Sequence, residues 1–303
     1  MKKTLLTICL VWMCFSLSAQ KIIDLSGKWS FSIDRQDNGE KEKWFSHTLN
    51  DFINLPGSMP EKLKGDEVTA KTQWTGSLYD SSYYYNPYME KYRKEGNIKF
   101  PFFLTPDKHY VGAAWYQKEV NIPADWKGER ILLFLERPHI ETTVWVNGQK
   151  TGMQNSLCVP HQYDITRYVR PGKCTITIRV DNRIKEINVG PDSHSITDQT
   201  QGNWNGIVGR ICLQTTPKTY FDDIQIYPEP EQKLARVKVV IKGTGTAKVK
   251  LSAESFNTDK KHIVPAIQQE IKLNKGVTET EMVLPMGNDM LLWDEFHPAL
   301  YKL

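Results

Sequence analysis

Two pairs of carboxylates are the first candidates for catalytic acid and base residues in this chain. Glu136 and Glu141 flank the sequence RPHI, where they could face each other across a connection between strands, and Asp222 and Asp223 are adjacent. Two carboxylates at a defined separation can act as acid and base in hydrolysis of a glycosidic bond. A chain of this size contains such pairs by chance, and adjacent carboxylates on strands and turns are usually solvated. We therefore assign neither pair to catalysis.

Motifs for metals, nucleophiles and phosphates are absent from the sequence. The seven histidines and five cysteines show no HExxH or CxxC spacing, and neither GxSxG nor GxxxxGK occurs. The sequence therefore assigns no catalytic residue, no metal site and no cofactor. Three cysteines lie beyond the first 20 residues, Cys158, Cys174 and Cys212. This odd and sparse set argues against a disulfide framework and predicts buried thiols that pack as small hydrophobes.

The first 20 residues, MKKTLLTICLVWMCFSLSAQ, have the pattern of a secretory signal peptide. A charged start precedes an apolar stretch too short to span a bilayer comfortably. We expect cleavage near Ala19 or Gln20, a mature protein that is periplasmic or secreted, and no membrane span. A lipoprotein anchored through Cys14 is a less favoured alternative, because the bulky Trp12 and Met13 precede that cysteine.

The charge balance excludes nucleic acid as a predicted partner. The formal net charge is +4 over 303 residues, and loss of Lys2 and Lys3 with the leader would leave +2. The remaining lysines are scattered among acids, as on an ordinary solvated surface.

Short segments of strand-forming residues separated by turn signals predict an all-β chain. Residues 20–216 contain six such segments, which two facing sheets would bury. They are KWSFSID (28–34), AWYQKEVNI (114–122), RILLFLE (130–136), TTVWVNG (142–148), CTITIRVDN (174–182) and GIVGRICLQT (206–215). Asn147 and Gly148 predict a tight hairpin turn. Asp164 or Thr166 could cap a single helical turn before Pro171.

A second β-rich module is predicted over residues 217–303, after the short linker at Thr216 and Pro217. Four segments alternate between apolar and polar residues, which is typical of a half-solvated sandwich. They are FDDIQIYP (221–228), LARVKVVIKG (234–243), TAKVKLSAES (246–255) and VTETEMVLP (277–285), with turn signals at Gly243, Gly245, Asn257 and Gly276.

Residues 74–103 do not fit the sandwich pattern. Ten aromatic residues occur in this insertion: Trp74, Tyr79, Tyr83, Tyr84, Tyr85, Tyr88, Tyr92, Phe100, Phe102 and Phe103. Tyrosine offers a flat face and a polar tip that suit stacking on sugar rings. The favoured interpretation is instead that these rings pack the insertion against its own sandwich or another domain.

Five motifs in order over roughly 190 residues resemble the amino-terminal sugar-binding domain of glycoside hydrolase family 2. They are LSGKWSFSID, INLPGSM, AAWYQKEVNIPADWKGERILLFLERPHIETTVWVNGQKTG, QYDITRYVRPGKCTITIRVDN and WNGIVGRICLQTTP. The ending LLWDEFHPALYKL is similar to a segment late in the family's second domain. The resemblance implies a jelly-roll-like β-sandwich over 20–216, then an incomplete immunoglobulin-like β-sandwich over 217–303. In the family a (β/α)₈ barrel carrying both catalytic glutamates follows, and we expect that barrel as the missing partner domain.

The resemblance also implies a substrate-binding loop before the strand GIVGRICL. An acidic residue in that loop of the family can contact the sugar, and Asp198 is the matching candidate. Gln199, Trp204 and Asn205 are its neighbours in the predicted carbohydrate site. An alternative is that Trp204 and Asn205 only fix a turn. The chain also departs from the family pattern over 208–210, where VGR replaces an aromatic residue and an arginine-acid pair.

Two functions follow as expectations. The first is the non-catalytic amino-terminal portion of a secreted family 2 enzyme, β-galactosidase-like, which hydrolyses terminal β-glycosides in carbohydrate metabolism. The alternative is a free-standing carbohydrate-binding sandwich protein without catalysis. The favoured expectation is the first, because an unfinished sandwich would expose edge strands.

Overall fold

The computed structural model describes residues 21–76, 81–185, 193–194 and 196–303, which form two compact units that divide between Thr215 and Thr216. The predicted leader, including Cys14, and Tyr79 lie outside the described residues.

The first unit contains β1 Ile22–Asp24, β2 Gly27–Asp34, β3 Asp51–Leu55, β4 Gly57–Ser58, β5 Asp66–Glu67, β6 Lys108–His109, β7 Ala113–Ile122, β8 Arg130–Pro138, β9 Glu141–Val146, β10 Gln149–Asn155, β11 His161–Asp164, β12 Gly172–Asp181 and β13 Gly206–Thr216. Helical segments are short: α1 Ser82–Tyr85 and the 3₁₀ turns Trp44–Ser46, Pro60–Lys62, Pro87–Tyr92 and Ala124–Trp126.

Two antiparallel sheets make the first unit a β-sandwich. One sheet has the order β1-β13-β8-β11, with β4 also paired to β13, and the other has the order β10-β9-β12-β7-β2-β3. Alternating side chains of both sheets point inward and form one hydrophobic cluster, which includes Trp29, Tyr116, Leu133, Ile178 and Ile211. Each of the six predicted strands is present, and the prediction of an all-β, sandwich-based chain is confirmed.

The turns of this unit follow the sequence signals. Asn147 and Gly148 have φ of 49° and 77°, and they join β9 to β10 as the φ > 0 pair of a tight hairpin. The Asp164 carboxylate accepts a hydrogen bond from the backbone N–H of Thr166 at 3.1 Å and so begins an isolated turn. Asp164 is therefore the capping residue of the two that the sequence offered.

The second unit contains β14 Tyr220–Glu229, β15 Leu234–Phe256, β16 Ile263–Pro285, β17 Leu300–Lys302 and the 3₁₀ turn Pro230–Gln232. β15 and β16 are 23 residues long, so the breaks predicted at Gly243, Gly245 and Gly276 are wrong. The ladder instead shifts register between Gly243 and Gly245, because glycines with positive φ allow a bulge inside a continuous strand. Buried side chains from both sides of this irregularity form one cluster, which includes Val239, Leu251 and Leu284.

The cysteine prediction holds for two of three positions. Cys174 and Cys212 are buried, and burial raises the pKa of the Cys174 thiol to about 11. Cys158 is exposed, so the expectation of a buried thiol is wrong there. It lies in the bend between β10 and β11 rather than in a strand, although apolar neighbours gave its sequence a strand-like character.

Among the described residues, no helix is long and apolar enough to cross a membrane.

Candidate functional site

Asn205 joins the loop before β13 to the sheet that contains β7 and β12. The start of β7 lies beside the end of β12, with Ala113 opposite Asp181. The side-chain amide of Asn205 donates to the backbone oxygens of Gly112 and Val180, both at 2.9 Å. Its carbonyl oxygen accepts the Tyr116 hydroxyl at 2.7 Å, and Asn205 is 1% exposed. These bonds place it as an internal support of the loop.

Asp198 fastens the same loop to the base of the aromatic insertion. One carboxylate oxygen accepts the backbone N–H of Asn203 and the other accepts that of Thr75, both at 2.6 Å. The backbone N–H of Asp198 donates in return to the Thr75 oxygen at 3.1 Å. The residue is 2% exposed. A carboxylate can accept further hydrogen bonds after these two. In this structure both short bonds hold the loop in place, one within the loop and one to the base of the insertion.

Asn182 and Asn203 complete this buried polar network. The amide of Asn203 donates to the Thr75 hydroxyl at 3.0 Å and to the Asn182 backbone oxygen at 3.1 Å. The amide of Asn182 donates to the Asn203 side-chain oxygen at 3.0 Å and to the Tyr110 oxygen at 2.8 Å. Amide groups can donate and accept at once, so the two side chains link loop, insertion and sheet.

Trp204 lies on a histidine. Its ring stacks on His139 with centroids 4.6 Å apart and an interplanar angle of 16°. Burial lowers the pKa of His139 to about 4, against the opposing effect of a hydrogen bond with the Asn203 side chain. His139 is therefore a neutral imidazole at pH 7, able to donate or accept a hydrogen bond. Both rings are half-buried and together form a flat surface.

Gln199 retains an unused acceptor. Its backbone oxygen accepts the N–H of Phe103 at 3.2 Å, which fixes the far end of the insertion to the loop. Its side-chain Oε1 is buried and has no hydrogen-bond partner among the described residues. Such an unsatisfied oxygen is costly unless a ligand or water supplies a donor.

Two sequence models of one family match the chain in order. The model described as glycosyl hydrolases family 2, sugar binding domain, matches residues 22–217, and the model described as glycosyl hydrolases family 2 matches residues 219–303. The chain belongs to glycosyl hydrolase family 2. The resemblance inferred from the sequence motifs is thus confirmed.

Curated relatives are glycosidases much longer than this chain. It is 24% identical over 266 residues to a β-glucuronidase of Homo sapiens, covering 78% of the chain and 35% of the relative. It is 24% identical over 302 residues to a β-glucuronidase of Paenibacillus borealis, with 94% and 42% covered. A β-galactosidase of Clostridium acetobutylicum is 24% identical over 287 residues, with 92% and 28% covered. The chain therefore spans less than half of each of these relatives.

Solved structures share the fold. A β-glucuronidase of an uncultured Clostridium sp. superimposes with a TM-score of 0.58 at 19% identity, covering 94% of this chain and 42% of that one. A β-glucuronidase of Ruminococcus gnavus gives a TM-score of 0.57 at 18% identity, with 93% and 40% covered.

A second polar group in this family 2 sandwich surrounds the end of β12. Arg179 lies 2.6 Å from Asp37 and 3.0 Å from Asp181, and Lys185 lies 2.8 Å from Glu141 and 2.9 Å from Asp181. Burial opposes ionisation of Asp181. Hydrogen bonds from Arg183 and Lys185 nevertheless hold the pKa of that carboxyl well below its usual value. This ion cluster fixes the strand end that leads directly into Asn182.

The two glutamates considered from the sequence have separate partners. Glu136 accepts from the backbone N–H and the Nε of Arg210, both at 3.0 Å, whereas Glu141 pairs with Lys185 and Arg179. They belong to strands of different sheets. Among the described residues, no group of three or more histidine, cysteine or acidic side chains could hold a metal ion.

The aromatic insertion has an inner and an outer set of rings. Trp74 contacts Phe100, Phe102 and His109 at centroid distances of 4.6–5.0 Å, and Tyr83 stacks on Phe100 at 4.7 Å. The inner rings thus pack the insertion against itself and β6. The outer rings, which are 53–86% exposed, are Tyr84, Tyr85, Tyr88 and Phe103.

The four residues that the sequence predicted for the site lie in one loop but differ in their burial. Asp198 and Asn205 are buried in the polar network, whereas Trp204 and Gln199 are half-buried. Sequence reasoning did not single out His139, Asn182 or Asn203. The sequence did contain signals for the two asparagines: Asn182 directly follows a predicted strand segment, and Asn203 lies two residues before Asn205 in NWNG.

Proposed function

We propose that this chain is the amino-terminal, non-catalytic portion of a secreted family 2 glycosidase that hydrolyses terminal β-glycosides, such as β-galactosides or β-glucuronides. The observation that carries the proposal is the ordered match of two family models across residues 22–217 and 219–303. In this proposal the catalytic carboxylate pair of the retaining route belongs to a barrel domain beyond these residues. The mature protein works in the periplasm or outside the cell.

The loop of residues 196–205 forms one wall of the sugar site in this proposal. The stacked rings of Trp204 and His139 offer a flat apolar face, and the half-buried Gln199 is a further residue of this wall. Asp198 and Asn205 hold the loop in shape through buried hydrogen bonds. Asp198 also remains the residue of this loop that can place a negative charge next to a sugar hydroxyl.

Hydrolysis assays with two proteins test the proposal. One is the product of the gene's complete open reading frame, and the other is the purified chain of residues 20–303. We expect the first to hydrolyse at least one chromogenic β-galactoside, β-glucuronide, β-mannoside or β-glucosaminide and the second to hydrolyse none. A reading frame that stops at Leu303, with sugar binding but no hydrolysis, would instead support a free-standing carbohydrate-binding protein.

A further inference from the structure

Strand β15 has neighbours on both edges along its first half and on one edge along most of its second half. Residues 234–242 lie between β14 and β16. Residues 245–253 pair only with β16 among the described residues. β17 begins to fill the other edge, because Glu254 lies opposite Ile263 of β16 and also opposite Lys302 of β17. Beside residues 245–253 this edge, the open edge of β15, has no strand partner in the described part of the chain.

The hydrogen bonds of β15 show which backbone groups point to its open edge. The N–H of Ser255 donates to the backbone oxygen of His262, directly before β16, at 2.9 Å. Successive N–H groups of a strand point to opposite edges. Alternate N–H groups therefore point away from β16, and they belong to Thr246, Lys248, Lys250 and Ser252.

An apolar groove shows that the core of the second unit is incompletely covered. Its volume is about 590 Å³, and Ile226 of β14 and Leu303 both line it. Ile226 lies opposite the buried Val237, so the two side chains share the inner face of the sheet. Ile224 and the buried Val239 share that face in the same way. Ile224 and Ile226 are nevertheless 47% and 49% exposed, so the inner face is open along β14.

The register of β17 directs the chain along the open edge. Lys302 lies opposite Glu254 in an antiparallel pair. Each residue that follows Leu303 in this register would lie one position further back along β15. The second and fourth of them would face Leu251 and Val249, whose side chains are buried in the core cluster.

We propose that the open edge and the groove are the docking surface for the residues that follow Leu303 in the complete protein, which continue β17 as a strand along residues 245–253. The inference rests on the proposed function, in which the chain continues beyond these residues. The second and fourth residues of the added strand are apolar and cover the exposed isoleucines of β14, whereas the residues between them are polar. A second copy of the chain fits this edge less well, since β17 of the same chain already occupies its beginning.

Residue-resolved hydrogen exchange of residues 20–303 and of the complete gene product tests the proposal. We expect the amides that point to the open edge to exchange at least about tenfold more slowly in the complete product, because the added strand supplies their acceptors. These amides are Thr246, Lys248, Lys250 and Ser252. Residues 176–180 of β12 are the internal control, since β7 and β9 pair with them on both edges in the separate first unit.

A proline substitution tests the same edge without a spectroscopic assignment. Lys250→Pro removes an N–H at the open edge and leaves the pairing with β16 intact, as proline in an edge strand can. The melting temperature should change by less than about 3 °C in residues 20–303 and fall by about 5 °C or more in the complete product. Lys238→Pro is the matched control. Lys238 lies between Gln225 of β14 and Glu281 of β16, so its substitution should lower the melting temperature of both proteins.

Three results would overturn the proposal. One is equal exchange of the four edge amides in the two proteins. Another is a Lys250→Pro loss of melting temperature that is the same in both. The third is protection of these amides in residues 20–303 that appears as protein concentration rises, which would assign the edge to a second copy. Hydrolysis is measured separately, so a complete product that hydrolyses a β-glycoside but leaves the edge amides unprotected would refute this inference alone. A reading frame that stops at Leu303 would refute both.

Discussion

Replacing Asp198 by alanine should destabilise the first unit because its carboxylate accepts two backbone N–H groups. Both bonds are 2.6 Å long, and Asp198 is 2% exposed, so the buried N–H of Asn203 and the half-buried N–H of Thr75 would lose their acceptor. A buried donor left unsatisfied costs about 1–3 kcal/mol. For the two groups together we therefore expect a loss of roughly 2–6 kcal/mol. For a unit of this size that lowers the melting temperature by about 4–24 °C.

Thermal unfolding of the purified chain, followed by far-UV circular dichroism, measures this loss. Asp198→Asn should fall between the wild type and Asp198→Ala, since the amide keeps one acceptor oxygen but presents an NH₂ group to the second N–H. Asp107→Ala is the control, because Asp107 is exposed and forms no ion pair among the described residues. If Asp198→Ala melts within about 1 °C of the wild type, a shift smaller than surface substitutions produce, the carboxylate does not hold the loop. In the complete gene product, if it hydrolyses β-glycosides as proposed, a normal kcat/KM for a stable Asp198→Ala variant would also remove Asp198 from the sugar contacts.

Three further predictions concern cleavage of the leader, the pH dependence of stability and the packing of Gly206. Intact mass of exported material should show a chain beginning at or near Gln20, and a retained Met1 or a lipid on the leader would contradict export by signal-peptide cleavage. The pKa of His139 lies at about 4 in the folded protein, below the ordinary value of 6.5, so the unfolded chain binds a proton first as pH falls. The contribution of neutral His139 to the free energy of unfolding should therefore be full above about pH 6.5 and decline towards pH 4. His139→Gln should reduce that decline, whereas the same substitution at the exposed His47 should leave it unchanged. Gly206→Ala should lower the melting temperature more than Gly202→Ala. A Cβ at Gly206 would lie 2.5 Å from the Gly57 backbone oxygen, whereas a Cβ at Gly202 would meet no atom within 4 Å. Equal melting temperatures of the two variants would contradict this packing.

The sandwich was predictable because its strands carry their own periodic signal. Alternating or continuous apolar runs located β7, β8 and β12 to within two residues, and Asn147 with Gly148 located the hairpin. The long strands of the second unit were not predictable in the same way. Glycine inside a strand pattern signals a turn and a bulge equally well, and only the pairing of β15 with β16 decides between them.

The candidate site was predictable only in part. The motif before GIVGRICL located Asp198 and Asn205, but their burial depends on partners far away along the chain. Thr75 is 123 residues before Asp198, and it contributes a backbone N–H, a group that every residue except proline has. The inner packing of Trp74 with Phe100 and His109 has the same origin, since aromatic density shows a need for burial and not the burying partner.

Comparing hydrolysis by the complete gene product with hydrolysis by residues 20–303 decides whether catalysis lies outside these residues. Retaining hydrolysis needs a proton donor and a nucleophilic carboxylate about 5 Å apart on a rigid scaffold. The glutamates Glu136 and Glu141 are instead held by Arg210 and by Lys185 in different sheets. We predict turnover of at least one β-glycoside by the complete product and none by residues 20–303. Turnover by residues 20–303 that survives purification and disappears when one of their carboxylates is replaced would instead show that these residues contain a catalytic site.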